Sequence, residues 1–352
     1  MKLTEIVCSF YILALIAVNA AAAVAPWEAA NPIAPLPQSP LGIDAKLTEL
    51  KDPPTPERVR LGRWLFYDKR LSSDGTISCA SCHRPENAFS EPTPHSTGVR
   101  GQQGGRKAPS VINQAWTILP VFFWDGRADS LEAQALGPVA NPIEMGNTHE
   151  GMIQNLQKTK SYRTYFKEAF GSEEIGKERI AKAIADYERT RMSGNSPWDR
   201  WKNGDEKAVS EEVKKGDALF FFGKASCNQC HLGPNFADSQ FHNLGIGWDP
   251  KKKAFADEGR SKISKDPKDL GAFKTPTLRD ISKHAPFMHD GSMKTLEEVV
   301  QHYNKGGNLN PSLSPKIHPL RLTKLDVKYL VKFMEALQGE GYQDASPAAF
   351  PE

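Results

Sequence analysis

Two five-residue stretches decide the fold of this chain: Cys79-Ala80-Ser81-Cys82-His83 and Cys227-Asn228-Gln229-Cys230-His231. In each stretch the two thiols are spaced to form thioethers with the vinyl groups of one haem, and the adjacent histidine can then bind the iron as its proximal ligand. Paired thiols in an exported protein can also form disulfides, and one such pentapeptide can be a metal knuckle or chance. Two copies favour haem attachment, so we predict two covalently attached c-type haems with His83 and His231 as iron ligands.

The sequence around the two motifs is repeated as well. Gly-x-x-Leu-Phe precedes each motif, beginning at Gly62 and Gly216, and a proline and a phenylalanine follow each motif. Such an internal duplication indicates two copies of one helix–loop–haem unit. We therefore predict a mostly α fold with two cytochrome c-like helical domains, each wrapping one covalently bound haem, and long loops.

Local signals place the helices and the domain boundaries. Thr55 and Pro56 are typical of an N-cap and a first helical position, so a helix is expected from there to about Tyr67, and a second from Ser210 through Phe221. Residues 24–54 should form an extended lead-in, residues 151–170 and 173–192 two amphipathic helices, and residues 193–205 a linker. The predicted domains are residues 24–195 and 205–340.

The first 23 residues are typical of a secretory signal. Lys2 precedes the apolar run 6–18, and the small residues 20–23 offer cleavage sites. Cys8 would leave with this segment. An uncleaved N-terminal anchor is the alternative. We expect a periplasmic protein with no membrane segment after cleavage.

Composition argues against a nucleic-acid partner. The 352 residues carry 45 Lys+Arg against 42 Asp+Glu, without a concentrated basic face. The run Lys251-Lys252-Lys253 is interpreted as a solvated loop.

Further stretches resemble the bacterial di-haem cytochrome c peroxidase family, which contains conventional peroxidases and also MauG, an enzyme that uses peroxide to oxidise residues of another protein. The resemblance extends roughly over residues 55–337, with both haem motifs in register. The matching stretches are Phe123-Trp124-Asp125-Gly126-Arg127-Ala128, Gln134, Gly137-Pro138, Asn141-Pro142-Ile143-Glu144-Met145, Phe273-Lys274-Thr275-Pro276-Thr277-Leu278-Arg279 and His289-Asp290-Gly291.

The resemblance implies roles for four residues. Glu144 and Gln134 would line the peroxide pocket of the N-terminal haem, where the carboxyl group moves a proton between the peroxide oxygens and the amide orients the bound oxygen. Pro138 would shape the same pocket, and Trp124 would lie between the haems as a stepping stone for electrons. Without the family, Glu144 would be interpreted as a surface carboxylate or a helix cap, and Trp124 as a core residue.

Two departures from the family pattern concern the sixth ligands of the irons. Conventional members cap the N-terminal haem with a histidine, and Val99 stands in that place, so we expect an open, five-coordinate haem; His95 is the alternative ligand. Conventional members bind the C-terminal haem through a methionine, and Tyr303 stands there, as in MauG. From the residues alone, Tyr303 would be an ordinary core aromatic of a helix opened by Thr295 and Glu298.

The rival ligands of the C-terminal haem are Met288, Met293 and His302. A tyrosinate would stabilise high oxidation states of iron, whereas a thioether would suit electron entry.

At two other functional positions of the family, this sequence has a different residue. An inter-domain calcium of the family has an asparagine ligand where Lys107 stands, with carbonyls matching His284 and Pro286, and a protonated lysine cannot bind calcium. Either the ammonium group replaces the ion, or water fills the gap. Ala225 stands where MauG presents a tryptophan to its protein substrate, so the exit route should differ. Trp198, Trp201 and Trp248 are the candidate surface relays, with packing as the alternative role of each.

Three functions follow from these observations. The leading hypothesis is a MauG-like enzyme in which hydrogen peroxide produces a high-valent di-haem state that oxidises a partner protein. The second is a conventional di-haem peroxidase that draws electrons from a small cytochrome or cupredoxin. The third is a di-haem electron carrier without enzymatic activity, which the presence of Glu144 and Gln134 disfavours.

Overall fold

The computed structural model describes residues 24–352, so the predicted signal segment lies outside the described residues. The fold of the described residues is mostly helical with long loops, as predicted, and it also contains four short strands. The helices are α1 (Pro26–Ala30), α2 (Pro56–Tyr67), α3 (Cys79–Cys82), α4 (Leu131–Ala140), α5 (His149–Gln157), α6 (Lys160–Phe170), α7 (Lys177–Arg189), α8 (Pro197–Lys202), α9 (Glu211–Phe221), α10 (Ser261–Ser264), α11 (Leu296–Asn304) and α12 (Lys324–Glu335). The strands are β1 (Phe241–Asn243), β2 (Trp248–Asp249), β3 (Ala254–Phe255) and β4 (Ala272–Lys274).

The first helical pair packs α2 against α7. The Thr55 hydroxyl caps α2 by accepting from the Arg58 amide, and Pro56 occupies the first turn, where its missing N–H costs nothing. A Cβ atom at Gly62 would lie 1.8 Å from the carbonyl oxygen of Ala183, so only glycine lets the two helices approach this closely. Leu61, Trp64 and Phe66 enter the core of this domain.

The second helical pair repeats that arrangement with α9 and α12. Ser210 caps α9, and a Cβ atom at Gly216 would lie 2.1 Å from the carbonyl oxygen of Tyr329. The core of the second domain contains Phe220 and Phe333, whose ring centres are 4.7 Å apart. The sequence repeat therefore corresponds to a repeated helix crossing with a glycine at the contact.

The strands form two small antiparallel sheets in the second domain. In one, β1 pairs with β4, with Phe241 opposite Lys274. In the other, β2 pairs with β3, with Trp248 opposite Phe255.

The end of the chain returns to the first domain. Tyr342 is fully buried against Phe89, and Asp344 forms ion pairs with Arg63 (2.8 Å) and Arg191 (3.3 Å). The last residue, Glu352, accepts a hydrogen bond from the Ser161 amide. The predicted second domain ends at residue 340, and the residues after it pack on the first domain.

Several predicted elements differ in detail from the observed ones. The helix expected over residues 151–170 is two helices, α5 and α6, because the chain turns at Thr159, whose hydroxyl accepts from Arg70. The predicted linker contains a helix, α8, opened by Pro197 and capped by Ser196. Within residues 24–352, none of the helices combines the length and the apolar character that crossing a bilayer requires.

Candidate active site

A cavity of about 380 Å³ extends from one Cys-x-x-Cys-His motif to the other. Every site residue predicted from the sequence lines it, so the fold brings the whole predicted set together. These residues are Cys79, Cys82, His83, Trp124, Gln134, Pro138, Glu144, Cys227, Cys230, His231 and Tyr303.

The two motif histidines are oriented in the same way. The Nδ1 atom of His83 bonds to the carbonyl oxygen of Phe89 (3.2 Å), and that of His231 to the carbonyl oxygen of Phe236 (2.8 Å). Burial lowers the pKa of both imidazoles, so both are neutral at neutral pH. With Nδ1 donating to a carbonyl, the lone pair of Nε2 remains for an iron ion.

Among the described residues, the four cysteines of the motifs form no disulfide. Burial raises the pKa of Cys82 to about 11 and that of Cys227 to about 12. Two thiols and one imidazole from each motif thus face a shared apolar cavity. This donor set fits two c-type haems.

Glu144, Gln134 and Pro138 meet on one wall of the N-terminal part of the cavity. Pro138 lies inside α4 and has no N–H, so it leaves the carbonyl of Gln134 without its helical hydrogen bond. The Asn141 amide donates to the carboxylate of Glu144 at 2.7 Å. Burial raises the pKa of Glu144, although the charge of Arg127 and this hydrogen bond act in the opposite direction.

The loop that carries Val99 does not place an imidazole in the cavity. Val99 is fully buried, its amide donates to the Glu144 carbonyl (2.8 Å), and its side chain packs toward Gly146. Of this loop, Ser96 and Gly98 line the cavity, whereas His95 and Val99 do not.

Tyr303 lines the C-terminal part of the cavity from α11. The capping box of Thr295 and Glu298 opens this helix, as predicted. Burial, followed by the neighbouring Cys227 and Cys230, raises the pKa of the phenol. The phenol therefore lies close to the second haem motif.

The rivals of Tyr303 divide into two groups. The Nε2 atom of buried His302 is bonded to the Leu244 carbonyl (3.0 Å), and Met293 does not line the cavity. Met288 does line it, and it stands next to His289.

Trp124 lines the cavity together with residues of both motifs. Its indole N–H donates to the Lys107 carbonyl at 2.8 Å, and its ring centre lies 6.5 Å from that of His289. His289 in turn stacks on Phe273 at 3.5 Å. These contacts hold the indole in one orientation.

The ammonium group of Lys107 is buried among oxygen atoms. It donates to the Ser90 hydroxyl (2.9 Å) and to the Glu91 carbonyl. Burial lowers the pKa of Lys107 to about 8. Among residues 24–352 the Nε2 atom of buried His284 has no hydrogen-bond partner, and burial with the nearby Lys107 charge lowers its pKa to about 3.

Two titratable groups at the cavity were missed by the sequence reasoning. Glu188 is buried on α7, and burial raises its pKa to about 8. Its Oε2 atom has no hydrogen-bond partner within the part of the chain that the structure describes. His242 bonds to Asp238 (2.9 Å) beside Cys230, and its pKa is raised to about 9, chiefly by that hydrogen bond. Glu188 follows Ile184 and Ala181 at helical spacing, so an acidic residue on an apolar face was the available signal.

Each of the two helical domains carries one haem-type motif, and both motifs line one cavity together with the carboxyl group of Glu144. This combination defines a haem-dependent oxidoreductase. The comparisons with known proteins agree. The sequence profile of the di-haem cytochrome c peroxidase family matches residues 56–207.

The chain is 42% identical to the methylamine utilization protein MauG of Methylorubrum extorquens, over 82% of this chain and 80% of that protein. It is 36% identical to the cytochrome c551 peroxidase of Nitrosomonas europaea, over 82% of each. The crystal structure of a MauG-like protein associated with microbial copper homeostasis superposes with a TM-score of 0.78 at 32% identity, covering 91% of this chain and 97% of the other. The chain therefore belongs to the di-haem cytochrome c peroxidase family.

Proposed function

We propose that this protein is a periplasmic MauG-like enzyme, in which hydrogen peroxide reacts at the N-terminal haem and electrons are withdrawn from a partner protein. The observation that carries the proposal is the pair of sixth-ligand positions. No histidine from the loop around Val99 lines the N-terminal pocket, and a partly buried tyrosine, Tyr303, lines the C-terminal one. The first arrangement leaves room for peroxide, and the second favours an oxidised iron over electron entry.

In this proposal, iron ligation and proton transfer are carried out by different residues. His83 and His231 hold the two irons, and Tyr303 binds the second iron as a phenolate. Haem, when bound, supplies the redox chemistry of peroxide cleavage. Glu144, held by Asn141, accepts a proton from the near oxygen of peroxide and returns it to the far oxygen, which leaves as water.

The other two wall residues and the indole have positioning roles in this proposal. The Gln134 amide orients the bound oxygen, and Pro138 keeps the wall of the pocket in shape. Trp124, fixed by its bond to the Lys107 carbonyl, provides an aromatic ring between the two haems. The Lys107 ammonium would occupy the place of the family's calcium.

A conventional peroxidase is the alternative, and relatives of both kinds resemble the chain. The electron paramagnetic resonance spectrum of the resting ferric protein separates the two. We expect one high-spin haem and one low-spin haem with oxygenate ligation, and in Tyr303→Met the low-spin signal should move to that of a histidine–methionine haem. Two low-spin haems in the unaltered protein would contradict the proposal.

Rapid mixing with one equivalent of peroxide gives an independent test. The proposed enzyme should form a long-lived two-electron-oxidised state and should oxidise reduced cytochrome c slowly. Fast turnover with reduced cytochrome would favour the conventional peroxidase, and no reaction with peroxide would favour a plain electron carrier.

A further inference from the structure

Two tryptophans of the short helix α8 share an unusual arrangement. The indole N–H of Trp198 donates to the carboxylate of Asp217 at 2.7 Å, and that of Trp201 donates to the carboxylate of Glu206 at 3.2 Å. The ammonium nitrogen of Lys202 lies over both rings, 5.6 Å from the centre of Trp198 and 4.0 Å from that of Trp201. Each indole thus has its own proton acceptor, and the two rings flank one cation.

The inner end of this pair reaches the second haem motif. The rings of Trp198 and Phe236 meet edge to face with centres 5.0 Å apart, and the Phe236 carbonyl accepts the hydrogen bond from His231. One ring contact and one hydrogen bond therefore separate Trp198 from a predicted iron ligand. The outer end reaches solvent, because Trp201 is only half-buried and the side chain of Glu206 is 74% exposed.

We propose that Trp198 and Trp201 form the route by which the oxidised di-haem centre draws electrons from an aromatic side chain of a partner protein. The inference rests on the proposed function, since it takes its oxidant from the reaction with peroxide.

The electron and proton balance is as follows. One electron leaves Trp198 toward the haem held by His231, the Nε1–H bond breaks, and an O–H bond forms on Asp217. Trp198 then takes an electron from Trp201 and its proton back from Asp217, while Trp201 gives its own proton to Glu206. The last electron comes from a tyrosine or tryptophan of the partner, whose O–H or N–H proton goes to solvent to leave a neutral radical, and Glu206 returns its proton to Trp201.

The electrostatics favour this proton-coupled route over an indole cation. A positive ring beside the Lys202 ammonium would be repelled by it, whereas a neutral radical that has lost its proton to a carboxylate is not. The transfer to Asp217 has its own cost, because Asp217 gives up its ion pair with Lys202 (2.9 Å) when it is protonated. Trp248 is a built-in comparison. It packs on Phe255 at 4.9 Å, and among the described residues its N–H has no carboxylate partner.

The test uses the holoprotein without any partner, treated with repeated equivalents of hydrogen peroxide. Without a partner to oxidise, the oxidising equivalents should remain on Trp201, the solvent-side residue of the pair. Peptide mass spectrometry should therefore find oxygenated Trp201 and little oxygenated Trp248. In Trp198→Phe the oxidation of Trp201 should fall at least tenfold, and the two-electron-oxidised state should live longer. Trp248→Phe is the matched control and should change neither quantity.

Asp217→Asn and Glu206→Gln test the proton acceptors while both indoles remain. Each should lower the oxidation of Trp201 several-fold, and Glu206→Gln alters only an exposed side chain, so it does not threaten folding. Unchanged oxidation of Trp201 in Trp198→Phe, or equal oxidation of Trp248, would overturn the relay while the proposed function stands. Absence of any peroxide-dependent change in the haem spectrum would reject both.

Discussion

At the scale of a single residue, the pKa of Glu144 is shifted in opposite directions by its burial and by its polar neighbours. Burial in the cavity wall disfavours its carboxylate, while the Arg127 charge and the Asn141 amide favour it. Burial outweighs the other two, so the pKa lies above the ordinary value of a glutamate. A proton-transfer group is most effective when its pKa lies near the working pH.

Glu144→Gln should slow the reaction with peroxide by about 10²- to 10⁴-fold, the usual contribution of a positioned acid–base group. In the unaltered protein the rate constant should rise with pH through the raised pKa of Glu144, because only the carboxylate can accept the first proton. The variant should lose that dependence. Stopped-flow measurement over a pH series checks both points, and Glu150→Gln, an exposed carboxyl of the same domain, is the control.

Lys107 allows a test that does not depend on turnover. If its ammonium group fills the inter-domain cation position, EGTA should leave the melting temperature of the unaltered protein unchanged. Lys107→Asn should melt lower in EGTA and recover when millimolar calcium is added, since an amide oxygen can bind the ion. Lys107→Met should not recover. A fall in the melting temperature of the unaltered protein in EGTA would show that it holds a calcium ion after all.

Some residues of the site could be predicted from the sequence and others could not. The haem motifs have fixed spacing, so the cysteines and both histidines needed no tertiary information. That Val99 points toward Gly146 and away from the cavity depends on a loop packed against residues 141–146, which no local pattern encodes. Glu188 was missed because an acidic residue on a helix is usually exposed.

At the scale of elements, helix packing explains why the Gly-x-x-Leu-Phe pattern occurs in both domains. Gly62 and Gly216 lie where two helices touch, and in each case the neighbour is a backbone carbonyl that cannot rotate away. A methyl group there must push the helices apart.

Gly216→Ala should therefore lower the free energy of unfolding by about 1–3 kcal/mol, as overpacking does, even though alanine is the better helix former. Urea denaturation of the holoprotein measures this change. Gly105→Ala is the control, because among the described residues no atom beyond those of its chain neighbours lies within 4 Å of its added Cβ atom. Equal stability of the two variants would show that the helix contact is looser than described.

Helices with strong end signals were predicted well. Thr55 with Pro56 and Thr295 with Glu298 fixed the starts of α2 and α11, because caps act locally. The break between α5 and α6 and the helix within residues 193–205 were not anticipated. Both depend on distant contacts, such as that of Thr159 with Arg70.

At the scale of the whole molecule, the residues that follow the second domain bind to the first domain. Asp344 is paired with Arg63 and Arg191 and accepts from the Tyr187 hydroxyl at 2.7 Å. Burial alone would raise the pKa of Asp344, but the hydrogen bonds from Arg63 and Tyr187 outweigh burial and lower it.

Asp344→Asn should lower the free energy of unfolding at pH 7 by about 1.5–3 kcal/mol, the usual range for a hydrogen bond to a charged group. The stabilisation by Asp344 is present above the ordinary aspartate pKa and is lost as the pH falls through its lowered folded value. The difference between variant and unaltered protein should therefore shrink below about pH 4. Urea titrations at several pH values check this, with exposed Asp44→Asn as the control.

The residues after the second domain also bear on the order in which the protein can fold. Tyr342 packs on Phe89, whose carbonyl orients His83, so the support of the first predicted iron ligand comes from a residue that follows the second domain in the sequence. During N-to-C synthesis the first Cys-x-x-Cys-His motif is complete before Tyr342 is added. The packing around His83 can therefore be completed only after the second domain has been synthesised.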